Sequence, residues 1–312
     1  TVIAEMERKW RDAGIPNLYA GGDGPISRER YRNVRSLLYP TPELMTGSVE
    51  DLSIPASAGH SIPIRIIHPA GHDGVSQLNG TVVFFHGGGW MVGGLDTHQG
   101  HAVRIANLAN VVVVNVDYRL APEFPFPAGF QDCLDVVRWV DSNGTRLGGE
   151  NSPLVVGGDS AGGNLAAAVA LACEQENVSV AAQFLLYPVT DSRIVHNEES
   201  HRAYFGTTST DMLDWRASPI LSDNLDKAPP TIIAVGCYDY LLEENKAYAA
   251  ALQAAGVSVS LVMYPSLNHG FFSYTAISEA SRAAADDLCE RLRVMLAEKD
   301  RVSHAFQTAP RF

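Results

Sequence analysis

The sequence contains no hydrophobic run long enough to cross a lipid bilayer, which takes about 20 consecutive apolar residues. Its longest apolar stretches, residues 111–114 and 165–173, are much shorter and are interpreted as parts of the core. Residues 1–10 also lack the basic start and the apolar centre of a secretory signal peptide. We therefore expect a protein without a membrane span, located in the cytoplasm.

Cysteine is scarce, with four among 312 residues. None belongs to a C-x-x-C pair, and the apolar or helical contexts predict buried free thiols at Cys133, Cys173, Cys237 and Cys289. His98 and His101 have the H-x-x-H spacing of metal ligands, but no third ligand lies near them in the sequence. We therefore expect neither disulfides nor a bound metal.

Positive charge is also limited, because 23 Lys and Arg residues oppose 35 Asp and Glu residues and the net charge is −12. Such a chain repels phosphate backbones, so we do not expect it to bind nucleic acid. Apolar residues make up 46% of the sequence and charged residues 19%, a composition typical of a folded globular protein.

Short apolar runs alternate with helical patterns from residue 47 onward. The predicted strands are residues 49–54, 62–68, 81–85, 111–116, 154–156, 184–187, 231–235 and 257–264. The predicted helices are residues 97–108, 127–141, 161–174, 244–255 and 278–298, and Gly256 has the position of a helix C-cap. The alternation predicts an α/β fold with a mostly parallel, doubly wound sheet.

Two segments do not follow this alternation. Residues 1–45 contain two amphipathic helical patterns joined by a flexible connector at residues 19–27. Residues 190–228 are polar, with a possible short helix at residues 211–215. We interpret residues 1–45 as N-terminal cap helices and residues 46–312 as the main α/β domain, with residues 190–228 as a cap insertion. The C-terminal residues 299–312 are polar and are expected to be disordered.

A G-x-S-x-G motif at residues 158–162 follows the predicted strand 154–156 and opens an alanine-rich helix. A strand-to-helix turn of this kind is tight enough to require small flanking residues, and it exposes the serine hydroxyl at the edge of the sheet. Ser160 is therefore the candidate nucleophile. A glycine-rich turn without any chemistry is the alternative interpretation. Asp159, beside the nucleophile, is expected to have a structural role.

The segment HGGGW at residues 86–90 directly follows another predicted strand. Glycines leave backbone N–H groups accessible, and acyl transfer needs such donors for its oxyanion. We assign the oxyanion hole to the N–H groups of Gly88, Gly89 and Ala161. His86 is interpreted as a structural residue that holds the loop.

A serine nucleophile needs a base, and the base needs an acid that orients it. His269 follows the last predicted strand, and Asp239 follows the one before it. The order Ser160, Asp239, His269 is that of α/β-hydrolases. Glu243 and Glu244 are alternative acids, although carboxylates are also common in the first turn of a helix.

These motifs together resemble the hormone-sensitive-lipase-like family of bacterial esterases, within the α/β-hydrolases. The resemblance spans about residues 45–298 and rests on residues 86–90, 117–128, 158–163, 186–188, 239–241 and 269–271. It implies an eight-stranded sheet with a helical cap, hydrolysis of short-chain acyl esters without a cofactor, and Ser160, Asp239 and His269 as the triad. Residues 240–244 (YLLEE) depart from the PLRDE that members often carry there.

Other residues of the matched motifs receive structural interpretations. Asp117 and Arg119 are expected to form a buried ion pair, and Phe124, Phe126 and Phe130 are expected in the core. Trp90, Tyr187 and the N-terminal helices are candidates to line the substrate pockets. The resemblance also implies a possible homodimer, although no residue in the sequence indicates one.

Two other functions stay open. An amidase or arylformamidase could use the same triad, because the chemistry differs only in the leaving group. A non-catalytic ligand receptor could share the fold, but such receptors lose the catalytic histidine, whereas this sequence has both Ser160 and His269.

Overall fold

The computed structural model describes residues 24–38, 44–72, 77–149, 152–207 and 210–307, together with Arg8 and Asp12. The strands are β1 (Val49–Pro55), β2 (Ser61–Ile67), β3 (Thr81–Phe85), β4 (Val112–Val116), β5 (Leu154–Asp159), β6 (Ala182–Leu186), β7 (Thr231–Gly236) and β8 (Val259–Tyr264). The helices are α1 (Gly24–Leu38), α2 (Gln99–Ala109), α3 (Ala128–Ser142), α4 (Gly144–Leu147), α5 (Ala161–Gln175), α6 (Glu198–Phe205), α7 (Leu242–Ala254) and α8 (Glu279–Gln307). Short 3₁₀ helices cover Asp211–Leu213, Pro219–Leu221, Leu225–Lys227 and Phe271–Tyr274.

The eight strands of the described chain form one sheet in the order β1-β2-β4-β3-β5-β6-β7-β8. The pairs β1–β2 and β2–β4 are antiparallel, and all other neighbours are parallel. The predicted α/β class and eight-stranded, mostly parallel sheet are therefore confirmed, and each predicted strand lies within three residues of its observed bounds.

Helices cover both faces of the sheet, which explains why its central strands are apolar on both sides. Along β3, Val83 and Phe85 belong to the hydrophobic cluster that includes residues of α3, α5 and α7. The alternate residues Val82 and Phe84 belong to the cluster that includes residues of α2 and α8. Side chains alternate between the two faces of a strand, so a doubly covered strand must be apolar throughout.

The parallel register brings four loops to one edge of the sheet. Phe85, at the end of β3, pairs with Gly158 near the end of β5, and Gly236 at the end of β7 pairs with Tyr264 at the end of β8. The segments that follow these strands contain residues 86–90, Ser160, Asp239 and His269. The carboxyl edge of the sheet is where α/β proteins bind their ligands.

Several predictions about the periphery need correction. Helix α1 begins at Gly24, so residues 24–27 are helical rather than part of a flexible connector. Helix α8 continues to Gln307, well past the predicted end at residue 298. The segment 190–228 contains helix α6, which its polar composition did not indicate. The first predicted N-terminal helix and residues 308–312 lie outside the described residues.

Some side-chain predictions are also wrong. Arg119 forms its ion pair with Asp132 at 2.8 Å, not with Asp117, because Asp132 lies on the helix α3 that packs beside it. Burial raises the pKa of Asp117. Phe124 is 46% exposed and lies outside the core. Three of the four cysteines are buried as predicted, whereas Cys237 is exposed.

None of the helices in the described ranges is long and apolar enough to cross a membrane.

Gly256 follows α7 with φ of +88°, a conformation that glycine adopts without strain. This agrees with its predicted position at the C-terminal end of the helix.

Candidate active site

Ser160 occupies a sharp turn between β5 and α5. Its φ of +54° and ψ of −118° are strained for a residue with a side chain, at a cost of about 1–3 kcal/mol. Its N–H donates to the carbonyl of Leu186 at 2.9 Å, which ties the turn to β6. A Cβ on Gly158 or Gly162 would meet the carbonyl oxygen of Phe85, so only glycine fits on either side of the turn. The serine is therefore held above the N-terminus of α5.

The structure brings Ser160, His269 and Asp239 into a hydrogen-bonded row. His269 Nε2 lies 2.9 Å from Ser160 Oγ, and its Nδ1 lies 3.1 and 3.0 Å from the two carboxylate oxygens of Asp239. Asp239 is buried and also accepts a 2.8 Å hydrogen bond from the N–H of Leu241. Since a carboxylate accepts the Nδ1 proton, Nε2 is left to accept the proton of the serine hydroxyl.

The two alternative acids have other partners. Glu243 forms an exposed ion pair with Lys246 at 3.0 Å. Glu244 is buried, accepts the N–H of Thr190 at 2.7 Å and lies 2.7 Å from His196 Nε2. Neither carboxylate is bonded to His269, which favours Asp239 as the orienting acid.

The glycine loop after β3 borders the same cavity as Ser160. Gly88 and Gly89 have φ values of +124° and +57°, and a Cβ on Gly88 would meet the carbonyl of Val92. Within the described ranges, no backbone carbonyl accepts the N–H of either glycine. Ala161, the first residue of α5, lines this cavity as well. The three residues whose N–H groups are predicted for the oxyanion hole thus all line this cavity.

Buried polar residues form hydrogen bonds to this glycine loop. Asp159 accepts the N–H of Gly87 at 2.9 Å and lies 3.6 Å from His98 Nε2. Burial by itself opposes the charge of Asp159, yet chiefly His98 holds the pKa of its carboxyl well below the usual range. His86 Nδ1 donates to the carbonyl of Gly87, and the ring of Tyr118 stacks on His86 at 4.4 Å. Burial lowers the pKa of His86 to about 3, which fits its predicted structural role.

A buried group that could bind a metal lies under the same loop. Ligand atoms of His98, His101 and Asp159 lie within 4.8 Å of one another, so the structure supplies the third ligand that the sequence did not. However, burial lowers the pKa of His101 well below its usual value, and the nearby Arg35 and Arg104 add to this effect. The same positive charges oppose a metal cation. The imidazoles of His98 and His101 stack at 4.8 Å, as packed core rings do.

The cavity above Ser160 has a volume of about 340 Å³ and is lined by both residues predicted as substrate contacts. Trp90 is 5% exposed and stacks on Tyr204 at 4.7 Å with nearly parallel planes. Tyr187 packs its ring edge-on against His269 at 4.9 Å. Both side chains therefore combine a packing role with a place in the cavity wall.

The N-terminal helices were also expected to line the pockets, and Tyr31 and Arg35 of α1 line this cavity. Sequence reasoning missed three further lining residues, His196 and His201 of the segment 190–228 and Tyr240 after β7. Tyr240 was noted only as a departure from the family pattern. The two histidines lie in a segment without a recognisable motif, so no local signal connects them to the cavity.

A serine on a strand–turn–helix elbow, with a histidine and an aspartate after the last two strands of a mostly parallel sheet, defines the class of the α/β-hydrolases. The family model of the α/β hydrolase fold matches residues 82–273, and the chain belongs to this family. The resemblance inferred from the motifs is thereby confirmed.

Proteins similar to this chain are named as esterases. The carboxylic ester hydrolase LipN of Mycobacterium tuberculosis is 34% identical, with 91% of this chain and 80% of the relative covered. An ethyl acetate hydrolase of Pseudomonas putida is 33% identical over 74% of this chain and 78% of its own length. The solved structure of a hyperthermophilic esterase from the archaeon Pyrobaculum calidifontis has a TM-score of 0.80 and 34% identity, covering 88% of this chain and 94% of that structure.

Proposed function

We propose that this protein is a serine carboxylesterase in which Ser160 is the nucleophile, His269 the general base and Asp239 the residue that orients the base. The single observation that carries the proposal is the continuous row of hydrogen bonds from Ser160 Oγ through the imidazole to the buried carboxylate. The row leaves the serine proton facing an unprotonated nitrogen, as nucleophilic attack requires.

The reaction proceeds in two halves. His269 takes the proton of Ser160 as Oγ forms a bond to the ester carbonyl carbon, and Asp239 stabilises the resulting imidazolium. The tetrahedral intermediate collapses, its bond to the leaving alkoxide breaks, and His269 gives the proton to that oxygen. Water then enters, gives a proton to His269 and attacks the acyl carbon. The bond from this carbon to Ser160 Oγ breaks, the carboxylic acid leaves, and His269 returns the proton to Oγ.

The developing oxyanion is stabilised by the N–H groups of Gly88, Gly89 and Ala161. Removal of one such donor typically costs about 2.7–4 kcal/mol of transition-state stabilisation. The bonds of Asp159 to Gly87 and of Tyr118 to the carbonyl of His86 support the shape of the loop before substrate arrives. A preformed loop avoids reorganisation during the reaction.

Short-chain acyl esters are the proposed substrates. A cavity of about 340 Å³ suits a small ester better than a long acyl chain. The relative named ethyl acetate hydrolase is consistent with this size. Residues 1–45 and 190–228 are proposed to form the cap, because Tyr31, Arg35, His196 and His201 from these segments all line the cavity. A homodimer and a cytoplasmic location stay predictions.

The test is hydrolysis of p-nitrophenyl esters from acetate to dodecanoate by the wild type and by Ser160→Ala. We expect the highest kcat/KM with short chains and a loss of roughly 10⁴–10⁶ in kcat in the variant. Labelling of Ser160 by an organophosphate without cleavage of any ester would instead favour an amide substrate. Absence of both reactions would overturn the enzymatic proposal and favour a receptor.

A further inference from the structure

The cap wall of the cavity contains an unusual set of polar side chains. His196, Asn197 and His201 all line it, and they lie just before and within helix α6. None of these three takes part in the proposed reaction. One polar atom of each side chain forms a hydrogen bond to a neighbouring residue. That bond determines whether the remaining polar atom is a donor or an acceptor for a ligand.

The hydrogen bonds of the two histidines define their tautomers. His201 Nε2 lies 2.9 Å from the carbonyl oxygen of Ser192, and His196 Nε2 lies 2.7 Å from the carboxylate of Glu244. Because a carbonyl and a carboxylate accept hydrogen bonds, Nε2 carries the proton in both rings. In the neutral imidazoles, Nδ1 is therefore an acceptor, so each ring can receive a hydrogen bond from a ligand.

Asn197 offers the complementary function. Its Oδ1 accepts the N–H of Ser200 at 2.9 Å and caps helix α6, so its Nδ2 is a donor. Among the residues that the structure describes, no partner is bonded to Nδ1 of His196, Nδ1 of His201 or Nδ2 of Asn197. Three residues that line the cavity thus carry two acceptors and one donor without a partner among the described residues.

We propose that these three residues form a subsite for a hydroxyl group carried by the ester substrate. The inference rests on the proposed esterase function and adds the chemical class of the substrate. A hydroxyl donates one hydrogen bond to an imidazole Nδ1 and accepts one from the Asn197 amide. An alkyl group would leave these polar atoms unpaired, and a carboxylate would face the lone pairs of two imidazoles.

The position of the subsite determines where the hydroxyl lies on the substrate. The ring of Tyr240 packs against two imidazoles, with centroids 4.6 Å from His269 and 5.1 Å from His196. His196 and His269 thus share one aromatic neighbour, but His196 is bonded to Glu244 and His269 to Ser160. The hydroxyl is expected several atoms beyond the scissile carbonyl rather than next to it.

The test compares esters that differ only by replacement of a terminal hydroxyl with methyl. On the alcohol side these are 2-hydroxyethyl, 4-hydroxybutyl and 6-hydroxyhexyl butanoates against propyl, pentyl and heptyl butanoates. On the acyl side the pair is methyl 6-hydroxyhexanoate against methyl heptanoate. For at least one pair we expect kcat/KM to favour the hydroxylated ester by about tenfold, the value of one additional satisfied hydrogen bond.

His196→Gln and His201→Gln assign that preference to the cap wall. A glutamine amide can still donate to the former partner of Nε2 but has no counterpart of Nδ1. We expect the hydroxyl-to-methyl ratio to fall by about threefold to tenfold in the variant that lacks the accepting imidazole and in the double variant, mainly through KM of the hydroxylated ester. His72→Gln is the matched control, because His72 stacks on His68 at 5.8 Å and is not among the residues that line the cavity. Its ratio should equal that of the wild type.

The outcomes separate this subsite from the esterase proposal. Equal kcat/KM for every hydroxylated and alkyl pair overturns the subsite but leaves ester hydrolysis intact. A preference that survives in the His196→Gln, His201→Gln double variant also overturns it, as does faster cleavage of the matching ω-carboxylate esters. Cleavage of no ester at all overturns both proposals.

Discussion

Two histidine–carboxylate pairs lie next to Tyr240, and their geometry is nearly the same. The His269–Asp239 pair has an N···O distance of 3.0 Å, with side chains 21% and 0% exposed. The His196–Glu244 pair has a distance of 2.7 Å, with side chains 22% and 2% exposed. Each carboxylate also accepts one backbone N–H, from Leu241 or from Thr190.

The pairs differ in which ring nitrogen faces the acid. His269 bonds Asp239 through Nδ1, which places Nε2 against Ser160. His196 bonds Glu244 through Nε2, so its other nitrogen is Nδ1 and no serine hydroxyl is bonded to it in the described chain. A buried carboxylate and a partly exposed imidazole are therefore insufficient to define a general base. The atom at the second ring nitrogen decides the role.

Replacement of the two histidines should give the largest difference in kcat between the two pairs. We expect His269→Gln to lower kcat for a p-nitrophenyl ester by roughly 10⁴–10⁶, because the serine loses its base. His196→Gln should lower it by less than about tenfold, since only hydrogen bonding at the cap changes. Steady-state kinetics of both variants, with circular dichroism to verify folding, measures the difference. Comparable losses in kcat would mean that His196 also acts in the proton transfer.

Replacement of the two acids should affect two different quantities. The Asp239 variant should lose rate, and the Glu244 variant should lose stability. Asp239→Asn is expected to lower kcat by about 10⁴, because the amide favours the wrong imidazole tautomer. Glu244→Gln should affect kcat little but lower the free energy of unfolding by about 1–3 kcal/mol, because a buried hydrogen-bond network loses its charged acceptor. Urea titration and ester kinetics of both variants provide the measurement. A rate loss in Glu244→Gln near that of Asp239→Asn would reverse the assignment of the acid.

The glycine loop, which lines the same cavity as His269, provides a further contrast. In Gly88→Ala the new Cβ would meet the carbonyl of Val92 at a φ of +124°, so the loop must move. We expect a loss of about 10²–10³ in kcat, the usual effect of a lost oxyanion donor. Gly59→Ala is the control, because Gly59 also has a positive φ of +84° but its Cβ would meet no atom within 4 Å. Equal kcat in Gly88→Ala and the wild type would remove Gly88 from the oxyanion hole.

The sequence motifs indicated the residues of the proposed reaction centre but not His196 and His201, because the two groups depend on different kinds of information. Ser160, Asp239 and His269 each follow a strand, and the parallel register brings the ends of these strands together without further information. His196 and His201 lie in a polar segment whose path over the sheet is determined by tertiary contacts. The ion pair of Arg119 was predicted with Asp117 for the same reason, since the helix that supplies Asp132 packs beside it only in the folded chain.

His86 and His101 are buried near the glycine loop, in surroundings that differ from those of His196 and His269. Their burial should affect how the free energy of unfolding depends on pH. His101 stacks on Phe272 at 5.1 Å and on Phe84 at 6.3 Å, with a pKa well below the usual 6.5, and burial lowers the pKa of His86 to about 3. Below pH 6.5 the unfolded chain binds protons that the folded chain does not, so the free energy of unfolding falls as the pH falls.

His101→Phe should weaken that dependence, because a phenyl ring fits between two aromatic neighbours and does not titrate. Between about pH 6 and pH 4 we expect the slope of the unfolding free energy to decrease by up to about 1.4 kcal/mol per pH unit, the contribution of one proton. Urea unfolding at several pH values measures the slope, and His72→Phe is the control at a site outside the stack. An unchanged slope in His101→Phe would mean that this imidazole already carries its proton in the folded protein. In that case it would form an ion pair with Asp159 rather than act as a neutral packed ring.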